Sequence, residues 1–584
     1  MNMKLPRPAD LSDRAQGLML GAAVGDALGW PQEQRSGILG GQKSRSIPPS
    51  MAFRSWARWG GPQYSKYEDK VAAGSYSDDT QLILATARAC LHGDEWLAWL
   101  RDVELPAWPL YQRGGGKAVL AACRAWKQGT PPWQGPQSRA RSYFSAGANG
   151  VAMRIAPHAL ATIDDESPSN LIGRVLNDGI LTHGHMRALL GAVVYGLAVR
   201  HTLIRRGAME YGDLLHSLLG EKVWADPEAV IRHLPQDWVE RYEVTSGQSV
   251  ATDWRRTAGE MGKLFEICLT SLERSALSDD EKTLEMLGCF DPKQNGAGTV
   301  TTAGACYLAS RFAVRPSMGL LRAAFLRDSD SDTLASMTSG LLGALHGFDW
   351  LSPLSRDVQD AEYIQSMAHR LISSPMQVRG SQVMVEDPNA WLARLDSGQP
   401  VSSFVDGREV SSMRRSKLFE RNALTVIRYD IAIRDGQTLV IDVPFKREKG
   451  RQEELNIPAD SRGVAKAGRD ESGPSSSFTR IAIPVANLEA TRRFYGDILG
   501  LAIQWSERAV YLNPWLALVE KSELSTSSPV APMQITVHSS SPADILRSVS
   551  SRGVRVMSPG PQDIEGALRV LDPDGHEVLV WPKQ

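Results

Sequence analysis

Between Leu11 and Leu371 apolar residues recur at helical spacing with small residues between them. QLILATARACL (Gln81–Leu91), ALLGAVVYGLAV (Ala188–Val199) and LASMTSGLLGALH (Leu334–His346) are the clearest stretches. Runs of strict period two are scarce there, so the pattern predicts an all-helical domain over residues 1–375. Its Gly and Ala let helices approach closely, leaving chemistry to the loops between them. After Ser373 the pattern changes. TVIRYDIAIRDGQTLVIDVPFK (Thr425–Lys446) alternates about Asp435-Gly436 and predicts a β-hairpin within a small β-containing segment, 376–446, whose Arg414, Arg415 and Lys417 read as a solvated face. Residues 447–477 hold no aromatic residue, are rich in Ser, Gly and charge, and predict a flexible linker. From 478 to 584 a strand (RIAIPV), a helix (ATRRFYGDILG) and short strands are followed by a second series in the same order: QITVH, PADILRSVSSRG and strands ending in ALRVLDPDGHEVLVW. This predicts an α+β domain of two tandem βαβββ units.

The 584 residues are too many for one core, in keeping with a multidomain chain. Sixty-five basic against 66 acidic side chains leave a net charge of -1, so no whole-chain field marks a binder of nucleic acid or anionic membranes. Five cysteines (Cys90, Cys123, Cys268, Cys289, Cys306), odd in number and without a C-x-x-C pair, argue against a disulfide framework and a structural zinc site. The first ten residues are polar, and no run of about 18 uncharged apolar residues follows. A cytoplasmic protein acting on small molecules or proteins is expected.

Ser77-Asp78-Asp79-Thr80 stands directly before the apolar run LILATA, where a hydroxyl cap and acids in the first turn suit a helix start. Asp330-Ser331-Asp332-Thr333 repeats that arrangement before LASMTSGLLGALH. Two carboxylate pairs with neighbouring hydroxyls are the hard oxygen donors a divalent cation needs. If they converge, four carboxylates in one pocket repel unless such ions neutralise them. Asp328-x-Asp330-x-Asp332 also copies the start of an EF-hand loop, but Thr333 stands where that loop needs Gly and Ser339 where it needs Glu. Three further elements accompany the pairs. Gly25-Asp26-Ala27-Leu28-Gly29 with Glu33 reads as a helix end with solvated acids, Asn149–Arg154 (NGVAMR) as a turn or a cradle, and Thr182-His183 as the opening of a helix.

Taken together, GDALGWPQE (Gly25–Glu33), SDDT (Ser77–Thr80), NGVAMR, Thr182-His183, TAGACYLASRF (Thr302–Phe312) and DSDT (Asp330–Thr333) resemble the ADP-ribosylglycohydrolase family. The resemblance implies an all-α domain holding two magnesium ions, with Ser77, Asp78, Asp79, Asp330, Asp332 and Thr333 as ligands. It places Asn149, Gly150, Arg154 and His183 where they line or shape an ADP-ribose pocket. It implies hydrolysis of the glycosidic bond between ADP-ribose and an acceptor such as a protein side chain, releasing ADP-ribose, with Asp79 or Glu33 as the carboxylate that moves protons. A protein that binds ADP-ribose without cleaving it is the alternative, but a decayed site should have lost one of the six oxygen donors and none is lost; a hydrolase of another N- or O-glycoside would share the same motifs. Two positions depart from the family pattern: Asp328-Ser329 replace a glycine pair, and Ala148 replaces a glycine.

The C-terminal strings RRFYGDILGL and DPDGHEVLVW resemble the glyoxalase and bleomycin-resistance, or vicinal oxygen chelate, family. Arg480, Met533 or Gln534, and Leu579 stand where that family places metal ligands, and His538 and Glu577 are out of register. The resemblance therefore implies a binding or recognition domain, with Trp505, Tyr511 and Trp515 available to a flat ligand.

Overall fold

The computed structural model describes residues 7–33, 48–61, 66–274, 279–373, 385–397, 399, 401–421, 424–446, 481–485, 487–498 and seven short strands between 504 and 582. The chain divides into two compact units, Met1–Glu453 and Glu454–Gln584.

The first unit is built on helices α1 (Leu11–Gly29), α2 (Asp78–Cys90), α3 (Ala156–Ala161), α4 (Ser169–Ile180), α5 (Met186–Ile204), α6 (Gly298–Arg311), α7 (Ser331–His346) and α8 (Ala361–Ile372), with further helices between them. Helix α1 carries Gly17, Gly21, Gly25 and Gly29 at every fourth position, and these face Gly343, Ser339, Ala335 and Ser331 of α7 in antiparallel order. The fit is backbone against backbone. A Cβ on Gly21 would sit 2.3 Å from the Ser339 carbonyl oxygen, and one on Gly343 would sit 1.9 Å from that of Gly17. The Ser331 hydroxyl closes the end of the seam by donating to the Gly29 carbonyl at 3.0 Å. Helix α5 is long and apolar enough to cross a membrane by length and composition, but 83% of that stretch is buried inside the unit, as in a core helix. It starts at Met186, with the His185 ring accepting from the Arg187 N–H, three residues later than Thr182-His183 suggested.

One feature modifies the all-helical expectation for residues 1–375. A short antiparallel hairpin, β1 (Trp56–Gly60) with β2 (Tyr67–Val71), lies between α1 and α2. The segment 376–446 also packs on the helices. Its predicted hairpin is present as β4 (Leu424–Ile433) and β5 (Thr438–Lys446), turning at Gly436 with φ +104°. An additional strand, β3 (Val410–Arg421), pairs with β4 and carries Arg414, Arg415 and Lys417 on exposed positions. Trp391, Phe404, Ile427, Tyr429, Ile441 and Val443 share one apolar cluster with Trp96, Leu100, Trp108 and Tyr111 of the helical part. Polar bonds cross the same boundary: Arg428 reaches Asp69 of β2 at 2.8 Å, and Arg88 of α2 donates to Gln437 at 3.0 Å. Asp69 is also met by Arg58 and Arg113. Burial opposes its charge, but the three guanidinium groups hold the carboxyl down at about 2.

In the second unit β6 (Ile481–Val485), helix α9 (Leu488–Arg492), β7 (Gln504–Trp505), β8 (Ala509–Asn513) and β9 (Leu516–Glu520) form a sheet in the order β6-β9-β8-β7. Strands β10 (Gln534–Ser539), β11 (Val556–Met557), β12 (Leu568–Leu571) and β13 (Glu577–Pro582) repeat that order as β10-β13-β12-β11, the first strand again parallel to the last. The first half runs βαβββ, and the second has the matching four strands in the same order. The second unit's helix, the linker 447–477, Arg480, Met533 and Trp515 lie outside the described residues.

The seam between α1 and α7 makes a direct prediction. Gly343→Ala should lower stability by about 1–3 kcal/mol in denaturant unfolding, because a backbone oxygen occupies the methyl's place. Gly259→Ala, inside the helix Val250–Glu273 with nothing within 4 Å of the added Cβ, should raise it by roughly 0.5–1 kcal/mol. Equal effects at the two sites would show that the seam tolerates side chains.

Candidate metal centre and active site

The antiparallel seam brings the C-terminal end of α1 to the N-terminal end of α7, so their acids meet. Asp26, one turn before the end of α1, is completely buried and organises the start of α2. Its carboxylate accepts from the Ser77 N–H at 3.1 Å, the Thr80 N–H at 3.0 Å and the Thr80 hydroxyl at 2.6 Å. Ser77 caps α2 by accepting from the Asp79 N–H at 3.3 Å. Asp78 and Asp79 thus occupy the first turn of a helix whose dipole favours negative charge.

The second acidic pair closes onto the first. The Thr333 hydroxyl donates to Asp79 Oδ2 at 3.2 Å, and Asp332 Oδ1 accepts from the Thr333 N–H at 2.8 Å. Asn149 Nδ2 donates to Asp330 Oδ2 at 2.7 Å and to the Thr301 hydroxyl of α6 at 3.1 Å. The loop that places Asn149 is held by a short antiparallel bridge, with the Asn149 N–H donating to the Gly296 carbonyl at 2.8 Å and the Gly298 N–H to the Gly147 carbonyl at 3.0 Å. Glu33 follows a single 3-10 turn, Trp30–Gln32, and offers an oxygen within 4.8 Å of oxygens from Asp330 and Asp332. On another side Gly114, with φ +105°, lies where a Cβ would be 2.8 Å from Asp78 Oδ1. A cavity of about 620 Å³ lies against the same end of α1, lined by residues such as Leu28, Pro31, Trp56 and Phe325 but by none of these acids.

Burial drives the titration of the cluster. It pushes the carboxyl of Asp78 up to about 8, reinforced by Asp26 and Glu33, and pushes Asp79 and Asp332 well above the usual range, reinforced by their carboxylate neighbours. Asp26 is raised by burial too, against the hydrogen bonds it accepts. No arginine or lysine is among the main influences on Asp78, Asp79 or Asp332. Asp79 Oδ1 is buried with no hydrogen-bond partner. Oxygen-only donors, mutual repulsion and an orphaned carboxylate oxygen fit a hard divalent cation, with Asp78, Asp79, Asp330, Asp332, Glu33 and Thr333 available to hold it.

Of the residues singled out in the sequence, Ser77, Asp78, Asp79, Asp330, Asp332, Thr333, Glu33 and Asn149 converge here. Arg154 and His183 stand behind the site. Arg154 is completely buried, and its guanidinium is engaged by Asp178 at 2.6 Å, the Gly150 carbonyl at 2.8 Å and the Thr182 hydroxyl at 2.9 Å. It shapes the Asn149-Gly150 loop from below and is not exposed to a ligand. His183 bonds Thr182 at 2.8 Å, packs under Gly150 and is pushed down to about 3 by burial with Arg154 adding to the effect, so it is neutral. The two departures from the expected pattern are also accommodated. Asp328 is exposed and takes φ +62°, the left-handed conformation natural to glycine, and Ala148 sits in the bridge to Ala297, where no glycine is required. Asp26 was read as solvated and is instead the buried organiser. A single acid in a helix otherwise apolar or small on every side, GLMLGAAVGDALG, carried that information.

The ADP-ribosylglycohydrolase family model matches residues 7–380. A curated relative, the ADP-ribosyl-[dinitrogen reductase] glycohydrolase of Rhodospirillum rubrum, is 30% identical over 205 residues; the match covers 33% of this chain and 60% of that protein's length. A solved ADP-ribosylglycohydrolase-related protein complex is 21% identical, covering 63% of this chain and 100% of that one with a TM-score of 0.37. A lactoylglutathione lyase from Agrobacterium tumefaciens is 18% identical over 19% of this chain and 95% of its own, with a TM-score of 0.16. Both scores are too low to equate folds.

Raised carboxyl values mean that the folded protein without cations holds protons the unfolded chain gives up. Stability should then fall as pH climbs from about 4 through the value near 8 carried by Asp78. Thermal unfolding without divalent ions should show that decline. Magnesium at one hundred times its Kd at pH 8 should stabilise by about 2.7 kcal/mol there and by less at pH 5, and Asp332→Ala should lose the gain. A gain independent of pH, or one retained by Asp332→Ala, would exclude this cluster as the cation site.

Proposed function

We propose, from the premise that this chain belongs to the ADP-ribosylglycohydrolase family, that it hydrolyses the glycosidic bond between ADP-ribose and an acceptor, reversing ADP-ribosylation with the help of two magnesium ions. The observation that carries this reading is the convergence of two acidic helix starts around the unpartnered Asp79 Oδ1. The donor set is all oxygen, which suits hard divalent ions such as magnesium. Bound there, such ions supply Lewis acidity and lower the pKa of a coordinated water.

The remaining work falls to the chain's own residues. Asp78, Asp79, Asp330, Asp332 and Thr333 hold the cations, while Asp26 and Asn149 fix the backbone and carboxylate orientation behind them. Hydrolysis breaks the bond from the anomeric carbon to the acceptor and adds water there, so one proton must leave the water and one must reach the acceptor. Of the two carboxylates proposed for that transfer, Asp79 is 1% exposed and already accepts from Thr333, whereas Glu33 is 8% exposed at the end of a turn. We assign the proton transfer to Glu33. Arg154 and the neutral His183 keep the Asn149-Gly150 loop in place for the sugar. The C-terminal unit is assigned to recognition of the modified target.

The test is release of free ADP-ribose from ADP-ribosyl-arginine, -serine and -nucleobase substrates with and without magnesium. At least one substrate should be cleaved only with the metal, and Asp78→Ala or Asp332→Ala should slow it at least about a hundredfold. Asn149→Ala, which removes the support of Asp330 and the bond to Thr301, should cost roughly 10–100-fold. Tight binding of ADP-ribose with every substrate left intact would replace the hydrolase by a non-catalytic reader.

A further inference from the structure

A second constellation, away from the acidic cluster, joins a thiol, an imidazole and a carboxylate. Cys90, the last residue of α2, places Sγ 3.3 Å from His158 Nδ1 on α3. The other ring nitrogen, Nε2, lies 2.9 Å from Asp178 Oδ2 on α4. Arg174, one turn earlier on α4, brings Nη2 to 3.3 Å from the same sulfur and Nε to 3.3 Å from His158 Nδ1, while its guanidinium lies over Trp96. His158 and Asp178 are fully buried, whereas Arg174 is half-buried and Cys90 keeps 7% of its surface. Nucleophile, base and orienting carboxylate stand in the order that activates a thiol. Cys90 keeps only that small opening to solvent, so the reactant it suits is a small one.

We propose that Cys90 is an oxidation site, converted by hydrogen peroxide to a sulfenic acid with His158 handling the proton. His158 Nδ1 takes the thiol proton. The sulfur lone pair attacks one peroxide oxygen, the S–O bond forms as the O–O bond breaks, and the departing hydroxide recovers the proton from His158 and leaves as water. Sulfur loses two electrons and the peroxide gains them. Asp178 holds the imidazolium, and Arg174 faces the thiolate.

The charged and titratable groups that meet the thiol are His158 from α3 and Arg174 from α4. Burial alone would raise the thiol, and these two outweigh it, bringing Cys90 below the ordinary thiol value. The other four cysteines have no such surroundings. Cys123, Cys268, Cys289 and Cys306 are 0–2% exposed, and burial pushes Cys123, Cys289 and Cys306 up to about 12. They are internal controls in the same molecule.

The full chain is treated with hydrogen peroxide in the presence of dimedone, which traps sulfenic acids, and each cysteine peptide is quantified by mass spectrometry. Cys90 should be labelled and the other four should not. Its alkylation by iodoacetamide should rise with a midpoint below about 8.5. Arg174→Ala, at a half-buried position, should slow that alkylation at pH 7 by about tenfold, the effect of one unit in thiol pKa. Labelling of Cys90 no faster than the other four, an ordinary alkylation midpoint, or an unchanged rate in Arg174→Ala would each overturn the proposal.

Discussion

Helices α1 and α7 touch backbone to backbone, and the position of every acid in the candidate site depends on that contact. Small residues at every fourth position on both helices let them run side by side without intervening side chains. The cost of such a seam in lost apolar burial is offset by its precision, because neither helix can slide without driving a carbonyl into a Cα. The register is therefore fixed. It sets Gly29 beside Ser331, and from there Asp26 and Glu33 arrive on one side while Asp330 and Asp332 arrive on the other.

Carboxylates gathered in this way repel, and burial makes each of them harder to ionise. The fold answers with dipoles in place of counter-charges. Asp78, Asp79 and Asp332 lie in the first turns of α2 and α7, Asp26 collects two backbone N–H groups and a hydroxyl, and Asp330 receives the Asn149 amide. These donors orient the oxygens without neutralising the set, so the remaining charge is left for a cation. Had an arginine been placed here, the site would be more stable empty and would bind a divalent ion less well. The three arginines around Asp69 show the opposite solution: paired and held down at about 2, that carboxylate ties β2, the approach to Gly114 and the β3–β5 sheet into one wall.

Much of this was legible in the sequence where local chemistry and periodicity agree. The helical stretches, the hairpin about Asp435-Gly436 and the two hydroxyl-acid helix starts follow from spacing alone. What was not legible involves partners distant in sequence. Asp26 looks like a solvated helix end until Ser77 and Thr80 are seen to use it, and Arg154 looks like a ligand-binding cation until Asp178 and Gly150 are found to occupy it. The short β1–β2 hairpin lacks a long alternating run. The segment 376–446 is distinct in pattern, yet its apolar face is completed by Trp96, Trp108 and Tyr111, far earlier in the chain. Periodicity reports which face is buried but not what buries it.

Asp178 connects two parts of the molecule that would otherwise seem unrelated. Its Oδ1 holds Arg154, which supports the Asn149-Gly150 loop, and its Oδ2 holds His158, which faces Cys90. One buried carboxylate balances one buried guanidinium, so Arg154 and Asp178 form a neutral pair at 2.6 Å. A proton on His158 then adds a positive charge with no remaining anion among the fully buried members of the group. The thiolate of Cys90 is the group that restores the balance, and the imidazolium and thiolate should form together by transfer of one proton across the 3.3 Å between Nδ1 and Sγ. Arg174 shifts that transfer toward the ion pair because it meets the sulfur from the half-buried side, where its own charge is least costly. The charge accounting of a loop support beneath the candidate active site thus determines the protonation of a cysteine at the far end of α2.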